Sequence, residues 1–203
     1  MSLDQETDMD VTAGPTKTRR VTLWALVAAG AGAVSMAAAL VAFGPEAGRT
    51  VGGWVLIGAF AVVGIVMSVH DVRDRLLPDL LTLPLAAGLF TAVWTLSLGT
   101  GDVMAGLIAT GAALALAIVL FIGAMLGGVG AGDLKLALSV GLLTGWFGFL
   151  PPVYALVASF LLPLPYAIIG VIRRSRGAQV PDVPFGPYLV AGGLLAAVVA
   201  AIA

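Results

Sequence analysis

The sequence predicts an all-α, polytopic bundle of about seven transmembrane helices. Of its 203 residues, 60% are hydrophobic and only 10% are charged, and the mean hydropathy is +1.09. A soluble domain has about 25% charged residues and could not cover its surface with so few, so lipid must be the main solvent. Long apolar runs recur along the chain, and no stretch alternates apolar and polar residues over the length of a strand.

The first 20 residues differ from the rest of the chain. Acidic residues stand among Ser, Thr, Gln and Gly, and three basic residues precede the first apolar run. We expect residues 1–20 to form a disordered cytosolic tail and residues 21–203 to form the transmembrane domain. The chain has no cysteine, which excludes a disulfide framework, a thiolate zinc site and a cysteine nucleophile. Its net charge of -1 argues against a nucleic-acid partner.

Seven segments are long and apolar enough, or nearly so, to span a bilayer, which takes about 20 residues of helix. They are 21–43, 51–69, 79–98, 103–126, 134–150, 152–172 and 186–203. Only Pro151 and Pro152 separate the fifth segment from the sixth, so these two are the least clearly defined. Pro163 and Pro165 are expected to kink the sixth, because proline removes a helical hydrogen bond.

The basic residues indicate the orientation. With a cytosolic N-terminus, all of the 10 Lys and Arg residues except Arg49 fall on the cytosolic side, which agrees with the positive-inside rule. The C-terminus then lies outside. The cytosolic connections are 70–78, 127–133 and 173–185, and they contain the unusual residues, whereas the outer loops are short and plain. Chemistry is therefore expected on the cytosolic side.

The first cytosolic connection holds three aspartates. Asp71 ends an apolar helix, whereas Asp79 follows Pro78 at an N-cap or first-turn position, where it could simply cap the next helix. Asp74 lies between two arginines and could simply be a solvated loop residue. His70 is the only histidine, so a His-rich metal site is excluded, and an interfacial position explains it.

The second connection is rich in glycine and ends in an ionisable residue. Gly130 and Gly132 are two of its four glycines, and Asp133 and Lys135 follow. Glycine lets the backbone turn tightly and approach another backbone, and a charged group at membrane depth is costly and often functional. A flexible loop that ends in a capping aspartate is the plainer interpretation. A phosphate loop is disfavoured, because Gly-Lys-Ser/Thr is absent and a membrane helix precedes.

Asp71 and Asp133 share one side of the membrane, which suggests a catalytic pair. Two carboxyl groups a few ångströms apart share one proton. The ionised partner can deprotonate water while the protonated partner polarises a carbonyl, and together they can hydrolyse a peptide bond. No Gly-x-Ser-x-Gly or His-Glu-x-x-His motif offers another hydrolytic apparatus.

Three segments in order resemble the prepilin peptidases (type IV leader peptidases), which are membrane aspartic proteases of the Gly-x-Gly-Asp class. The last of these three segments begins in the third cytosolic connection, residues 173–185. The matching segments are Asp71 with Leu77-Pro78-Asp79, Gly130-Ala131-Gly132-Asp133-Leu134-Lys135-Leu136, and Pro184-Phe185-Gly186-Pro187. The resemblance spans about residues 60–200.

The resemblance implies that Asp71 and Asp133 are catalytic, that Lys135 accompanies the second aspartate, and that Gly130 and Gly132 let their loop approach the substrate. It implies a prepilin or pseudopilin precursor as partner, no cofactor or metal, and a bacterial or archaeal cytoplasmic membrane. Asp74 and Asp79 could attract the basic leader of such a precursor. Because the chain has no Cys-x-x-Cys motif, it resembles the short, peptidase-only members, and N-methylation of the product is not expected.

Other functions remain open at this point. A broader intramembrane aspartic protease would use the same motifs on other membrane anchors. A transporter could use the aspartates as a proton relay, although we find no internal repeat and the acids lie at helix ends. A catalytically silent assembly subunit is a further alternative. The sequence leaves the oligomeric state undetermined.

Overall fold

A computed structural model describes residues 14–74, 79–126, 130–175 and 184–203 of the chain. These residues form a helical bundle without strands, which confirms the all-α prediction. Four candidate spans are long and apolar enough to cross a membrane, namely Arg20–Asp71, Leu80–Thr100, Val103–Met125 and Pro151–Arg173. The helices are α1 (Gly14–Asp74), α2 (Asp79–Thr100), α3 (Val103–Met125), α4 (Ala131–Trp146), α5 (Pro151–Leu161), α6 (Leu164–Ser175) and α7 (Gly186–Ile202).

The first helix doubles back on itself at a single residue. Gly44 has φ 75° and ψ 176°, a left-handed conformation that favours glycine, and Pro45 restarts the helix in its preferred first position. A Cβ atom on Gly48 would lie 3.3 Å from the Cα of Leu40, so the chain reverses direction here. The predicted segments 21–43 and 51–69 are therefore two antiparallel arms of α1, residues 14–43 and 45–74, with no loop between them.

The boundaries of the predicted tail and of the fifth segment also differ from the structure. Helix α1 begins at Gly14, so its first turns include the last residues of the predicted tail, and residues 1–13 lie outside the described part of the chain. Helix α4 covers Ala131–Trp146 rather than 134–150 and is about 24 Å long. All its residues from 139 to 146 are buried, so α4 is surrounded by protein rather than lipid.

Very close backbone contact joins α3 to α4. A Cβ atom on Gly141 would lie 2.3 Å from the Cα of Ala113, and one on Gly145 would lie 2.6 Å from the Cα of Ala109. Gly141 and Gly145 form a Gly-x-x-x-Gly pattern, which allows two membrane helices to pack backbone against backbone. The central helix is thus fixed by main-chain contact with α3.

The predicted disruption of the sixth segment is present as a full break. Helix α5 ends at Leu161 and α6 begins at Leu164, because Pro163 has no N–H group to continue the hydrogen bonding. Pro165 falls in the first turn of α6, where its missing N–H group has no helical partner to lose.

The two ends of the bundle are built differently. At one end the described connections turn on the three glycines with positive φ, Gly44, Gly101 and Gly148. There the Arg49 guanidinium forms an ion pair with Asp102 and lies 5.1 Å from the centre of the Trp146 ring. The opposite end is where α1, α3 and α6 finish and where α4 and α7 begin. Its connections fall largely in residues 75–78, 127–129 and 176–183, outside the described part.

Candidate functional site

Asp133 lies in the first turn of α4 and is buried, with 7% of its surface exposed. Its Oδ2 atom accepts a hydrogen bond of 3.2 Å from the backbone N–H of Gly130, the N-cap residue of the same helix. Glycine has no side chain to return the bond, so only the carboxylate half of a capping box forms. The positive end of α4 also favours a carboxylate at this position.

Gly130 lies close to the Asp133 carboxyl group, and its backbone conformation does not itself require glycine. Its φ of -78° and ψ of 152° are accessible to any residue. A Cβ atom at this position, however, would lie 3.3 Å from Oδ2 of Asp133, closer than a comfortable contact. The close approach that glycine allows is thus seen here toward the Asp133 carboxyl group, and the predicted approach of this loop to a substrate stays a prediction.

Asp71 lies in the last turn of α1 and is also 7% exposed. Its Oδ2 atom accepts a hydrogen bond of 3.2 Å from the backbone N–H of Gly186, the first residue of α7. The Pro-Phe-Gly-Pro segment thus begins a helix whose N-terminus points at Asp71. Next to it, the ring of Phe185 packs on Phe160, with 5.2 Å between the ring centroids, and helps to fix this helix start.

The two carboxyl groups influence each other. Burial raises the pKa of Asp133 to about 6, the hydrogen bond from Gly130 opposes the rise, and the negative charge of Asp71 adds to it. Asp71 lies in the last turn of α1 and Asp133 in the first turn of α4, so both groups are at the same end of the bundle. A pair of this kind can hold one proton between a donor and an acceptor.

For the remaining predicted site residues the structure gives the position in a helix, and for some of them the exposure of the side chain. Gly132 and Lys135 lie in the first turns of α4 and are half-buried. Asp74 is the last residue of α1 and Asp79 the first residue of α2, which agrees with the predicted first-turn position, but their side chains lie outside the described residues. His70 is exposed, and its Nδ1 lies 2.9 Å from the carbonyl oxygen of Val66.

Gly186 is a site residue that the sequence does not reveal. It belongs to the Pro-Phe-Gly-Pro segment, but nothing in that segment indicates a contact with Asp71, which is 115 residues away in sequence. The signal that could have identified this contact is the position of the α7 start, which lies on the same predicted side of the membrane as the Asp71 carboxylate. Helix N-termini bind anions. Within the described ranges, no group of three or more His, Asp or Glu side chains could hold a metal ion.

The fold and the site define a class: a helical membrane protein that buries two interacting carboxyl groups at one end of its bundle. The sequence model of the Type IV leader peptidase family matches residues 58–202. The chain therefore belongs to the Type IV leader peptidase family.

Two curated relatives carry the name prepilin leader peptidase/N-methyltransferase. The protein from Burkholderia pseudomallei (strain 1026b) is 35% identical over 163 residues, which cover 77% of this chain and 48% of the relative. The protein from Aeromonas hydrophila is 34% identical over 151 residues, which cover 71% of this chain and 50% of the relative. The chain thus spans about half the length of these relatives. No solved structure matches it.

Proposed function

We propose that this chain is a membrane aspartic endopeptidase that removes the basic leader from prepilin-like precursors at the cytosolic face of a bacterial or archaeal cytoplasmic membrane. The observation that carries the proposal is the pair of buried carboxyl groups, Asp71 and Asp133, each held at a helix N-terminus. Membership of the leader peptidase family and the names of the relatives support peptide hydrolysis as the reaction.

In the proposed mechanism the two aspartates have complementary roles in the first step. Asp133 is the proton donor, because burial raises its pKa to about 6 and it therefore holds its proton at a higher pH than an ordinary carboxyl group does. Asp71 is the base. It takes a proton from a water molecule whose oxygen attacks the scissile carbonyl carbon, while Asp133 donates its proton to the carbonyl oxygen. The product of this step is a neutral tetrahedral diol, with Asp71 protonated and Asp133 ionised.

The second step reverses the proton flow. Asp71 gives its proton to the amide nitrogen as the carbon–nitrogen bond breaks, and Asp133 takes back a proton from a hydroxyl of the diol. The new carboxyl group and the new amino terminus leave, and both aspartates return to their starting state. No covalent enzyme intermediate is needed.

The neighbouring residues are assigned supporting roles in this proposal. The backbone at Gly130 and Gly132 lies beside Asp133 and would form main-chain hydrogen bonds to an extended substrate. Lys135, in the same helical turns, accompanies the second aspartate. Asp74 and Asp79 end and begin the helices next to Asp71, and their charges would attract the basic leader.

We include in the proposal that these 203 residues supply peptidase activity without N-methyltransferase activity. The family model that matches this chain describes a leader peptidase, and the chain contains none of the cysteines that the resemblance associates with methylating members. Mass spectrometry of the processed product in the presence of a methyl donor tests this part, and a methylated amino terminus would refute it.

The central test replaces each aspartate by asparagine. Asp71→Asn and Asp133→Asn, each made separately, should lower the cleavage rate by about 10²- to 10⁴-fold, since each removes one proton-transfer group. The measurement is the cleavage of a purified precursor with a basic leader and an apolar helix, reconstituted with the enzyme in lipid vesicles.

Asp102→Asn is the matched control for this test. Asp102 is an aspartate at the opposite end of the bundle, where it pairs with Arg49 and caps α3 through a hydrogen bond from Ala105. Asparagine preserves the cap, so cleavage should continue at the normal rate. If either Asp71→Asn or Asp133→Asn processes the precursor normally while expressed at the normal level, the proposed pair is wrong.

A further inference from the structure

An apolar groove lies between the second arm of α1 and α7, beside the contact between Asp71 and Gly186. Its volume is about 450 Å³. From α1 it is lined by Ile65, Ser68 and Val69, and from α7 by Pro187, Ala191 and Leu194. We call it the α1/α7 groove.

The floor of the α1/α7 groove is a close helix contact. A Cβ atom on Gly64 would lie 2.8 Å from Cγ1 of Val190, so the two helices nearly touch beneath the groove. Ser68 is the polar side chain among the lining residues, and its hydroxyl donates a 2.8 Å hydrogen bond to the carbonyl oxygen of Gly64. Because this hydroxyl is already paired, the groove suits an apolar occupant.

The groove ends at the candidate site. Pro187 directly follows Gly186, whose amide holds Asp71, and Val69 lies two positions before Asp71. A larger apolar groove of about 690 Å³ lies between the arms of α1 and α2. Its lining reaches this end of the bundle only through Leu80 and Leu81 of α2. Along α1 it comes no nearer to Asp71 than Val63, about 12 Å away along the helix, whereas the α1/α7 groove includes Val69.

We propose that the α1/α7 groove docks the transmembrane helix of the precursor and so places the bond to be cut beside Asp71. This inference rests on the proposed function, which makes the substrate an apolar helix with its cleavage point at the cytosolic end. The small side chains of Ser68 and Ala191 let such a helix approach closely. The surface also continues beyond the groove, since Val62, 68% exposed, and Gly58, with open space beside it, lie on the same face of α1.

Photo-crosslinking tests where the substrate helix lies. A photoreactive residue, p-benzoylphenylalanine, replaces Ile65 in the groove or Ile118 on α3, both of which are 59% exposed. Both positions lie about two turns from the same end of the bundle. In an Asp133→Asn background, which retains the precursor uncleaved, we expect a crosslinked product from position 65 and none from position 118.

A groove-filling substitution gives an independent kinetic readout. Ala191→Leu adds bulk inside the α1/α7 groove, and Ala115→Leu adds the same bulk to an apolar groove between α3 and α5. Both alanines are exposed on membrane helices, so leucine should preserve the fold. Ala191→Leu should raise KM for the precursor about fivefold or more, because overfilling a packed contact costs about 1–3 kcal/mol. Ala115→Leu should leave KM unchanged.

The outcomes separate this inference from the proposed function. If the unsubstituted protein cleaves the precursor but crosslinks form only from position 118, or Ala191→Leu and Ala115→Leu have the same KM, the docking groove is refuted and the peptidase assignment stands. If the unsubstituted protein fails to cleave the precursor, the proposed function is refuted. Crosslinking from position 65 then still reports whether the groove binds an apolar helix.

Discussion

At the residue scale, the two aspartates differ in how their positions are fixed. Asp133 bonds to an amide three residues earlier in its own helix, so its orientation is established as soon as α4 forms. Asp71 bonds to Gly186, 115 residues further along the chain, so its orientation depends on the packing of α7 against α1. One carboxyl group is therefore positioned by local structure and the other by tertiary structure.

The raised pKa of Asp133 predicts the pH dependence of cleavage. Because Asp133 must carry a proton to donate it, kcat/KM should fall as the pH rises through about 6. The measurement is the kcat/KM profile from about pH 4.5 to about pH 8, on either side of that value. Asp102→Asn serves as the control and should leave the position of this fall unchanged. A profile that is flat around pH 6 would contradict the role of Asp133 as the acid.

The same ionisation affects stability in a defined direction. The pKa of Asp133 is raised from 3.8 in the folded protein, so the folded state favours the protonated carboxyl group. The resulting contribution to the free energy of unfolding is complete below about pH 4 and is lost as the pH rises through about 6. Asparagine stays neutral, so Asp133→Asn should raise Tm relative to the unsubstituted protein more at about pH 8 than at about pH 4. Equal Tm differences at both pH values would show that Asp133 titrates normally.

At the scale of helices, glycine has two separate uses in this chain. On α4, Gly141 and Gly145 permit backbone contact with Ala113 and Ala109 of α3. At Gly44, by contrast, a Cβ atom would meet nothing within 4 Å, and the requirement is the positive φ. Substitution by alanine should therefore destabilise the two positions for different reasons.

Gly141→Ala tests the contact between α3 and α4. The added methyl group would overlap the backbone of α3, so we expect a loss of about 1–3 kcal/mol in the free energy of unfolding. Gly111→Ala, on α3 with open space around it, is the control and should be neutral or stabilising by about 0.5–1 kcal/mol. Unfolding of the purified protein in mixed micelles measures both. Equal effects of the two substitutions would mean that the close contact does not exist.

Gly44→Ala tests the reversal of α1. With φ 75° and ψ 176°, Gly44 lies in a region that is essentially restricted to glycine. A residue with a Cβ atom loses about 1–3 kcal/mol there, so the variant should be less stable by that amount. Gly30→Ala, on the first arm of α1 and also without neighbours within 4 Å, should instead be neutral or slightly stabilising. If Gly44→Ala is as stable as Gly30→Ala in the same unfolding measurement, the conformation at position 44 does not require glycine and the prediction is wrong.

At the scale of the whole molecule, the bundle has a simple end and a chemical end. The simple end contains the three glycine turns and the Arg49–Asp102 ion pair. The chemical end contains Asp71, Asp133 and the helix N-termini that hold them. The distribution of basic residues predicts that the chemical end faces the cytosol.

Single-cysteine labelling tests this orientation directly, because the chain has no cysteine of its own. Phe149→Cys, at the simple end and 78% exposed, should react with a membrane-impermeant thiol reagent added outside intact cells. Ser175→Cys, at the end of α6, should react only after the membrane is opened. The reverse pattern would place the aspartates outside and would contradict cleavage at the cytosolic face.

The fold class and most helix positions could be predicted because they depend on apolar length, which the sequence displays directly. The position of Asp133 at a helix start was predictable for a similar reason, since its cap is local. The contact of Asp71 with Gly186 was not, because it depends on how distant helices pack. The predicted segments 21–43 and 51–69 are shorter than the arms of α1, because apolar length does not show that the polar residues Glu46 and Arg49 also lie in the helix.

The reversal at Gly44 also bears on how the chain enters the membrane during synthesis. In the proposed orientation, the two arms of α1 could insert together as one preformed hairpin, since a single non-helical residue joins them. Apart from the residues at this corner, no polar loop would then need to be carried across the hydrocarbon. Glu46 and Arg49 are the charged groups of this corner. Arg49 forms its ion pair with Asp102 only after the second hairpin, α2 and α3, has been inserted into the membrane.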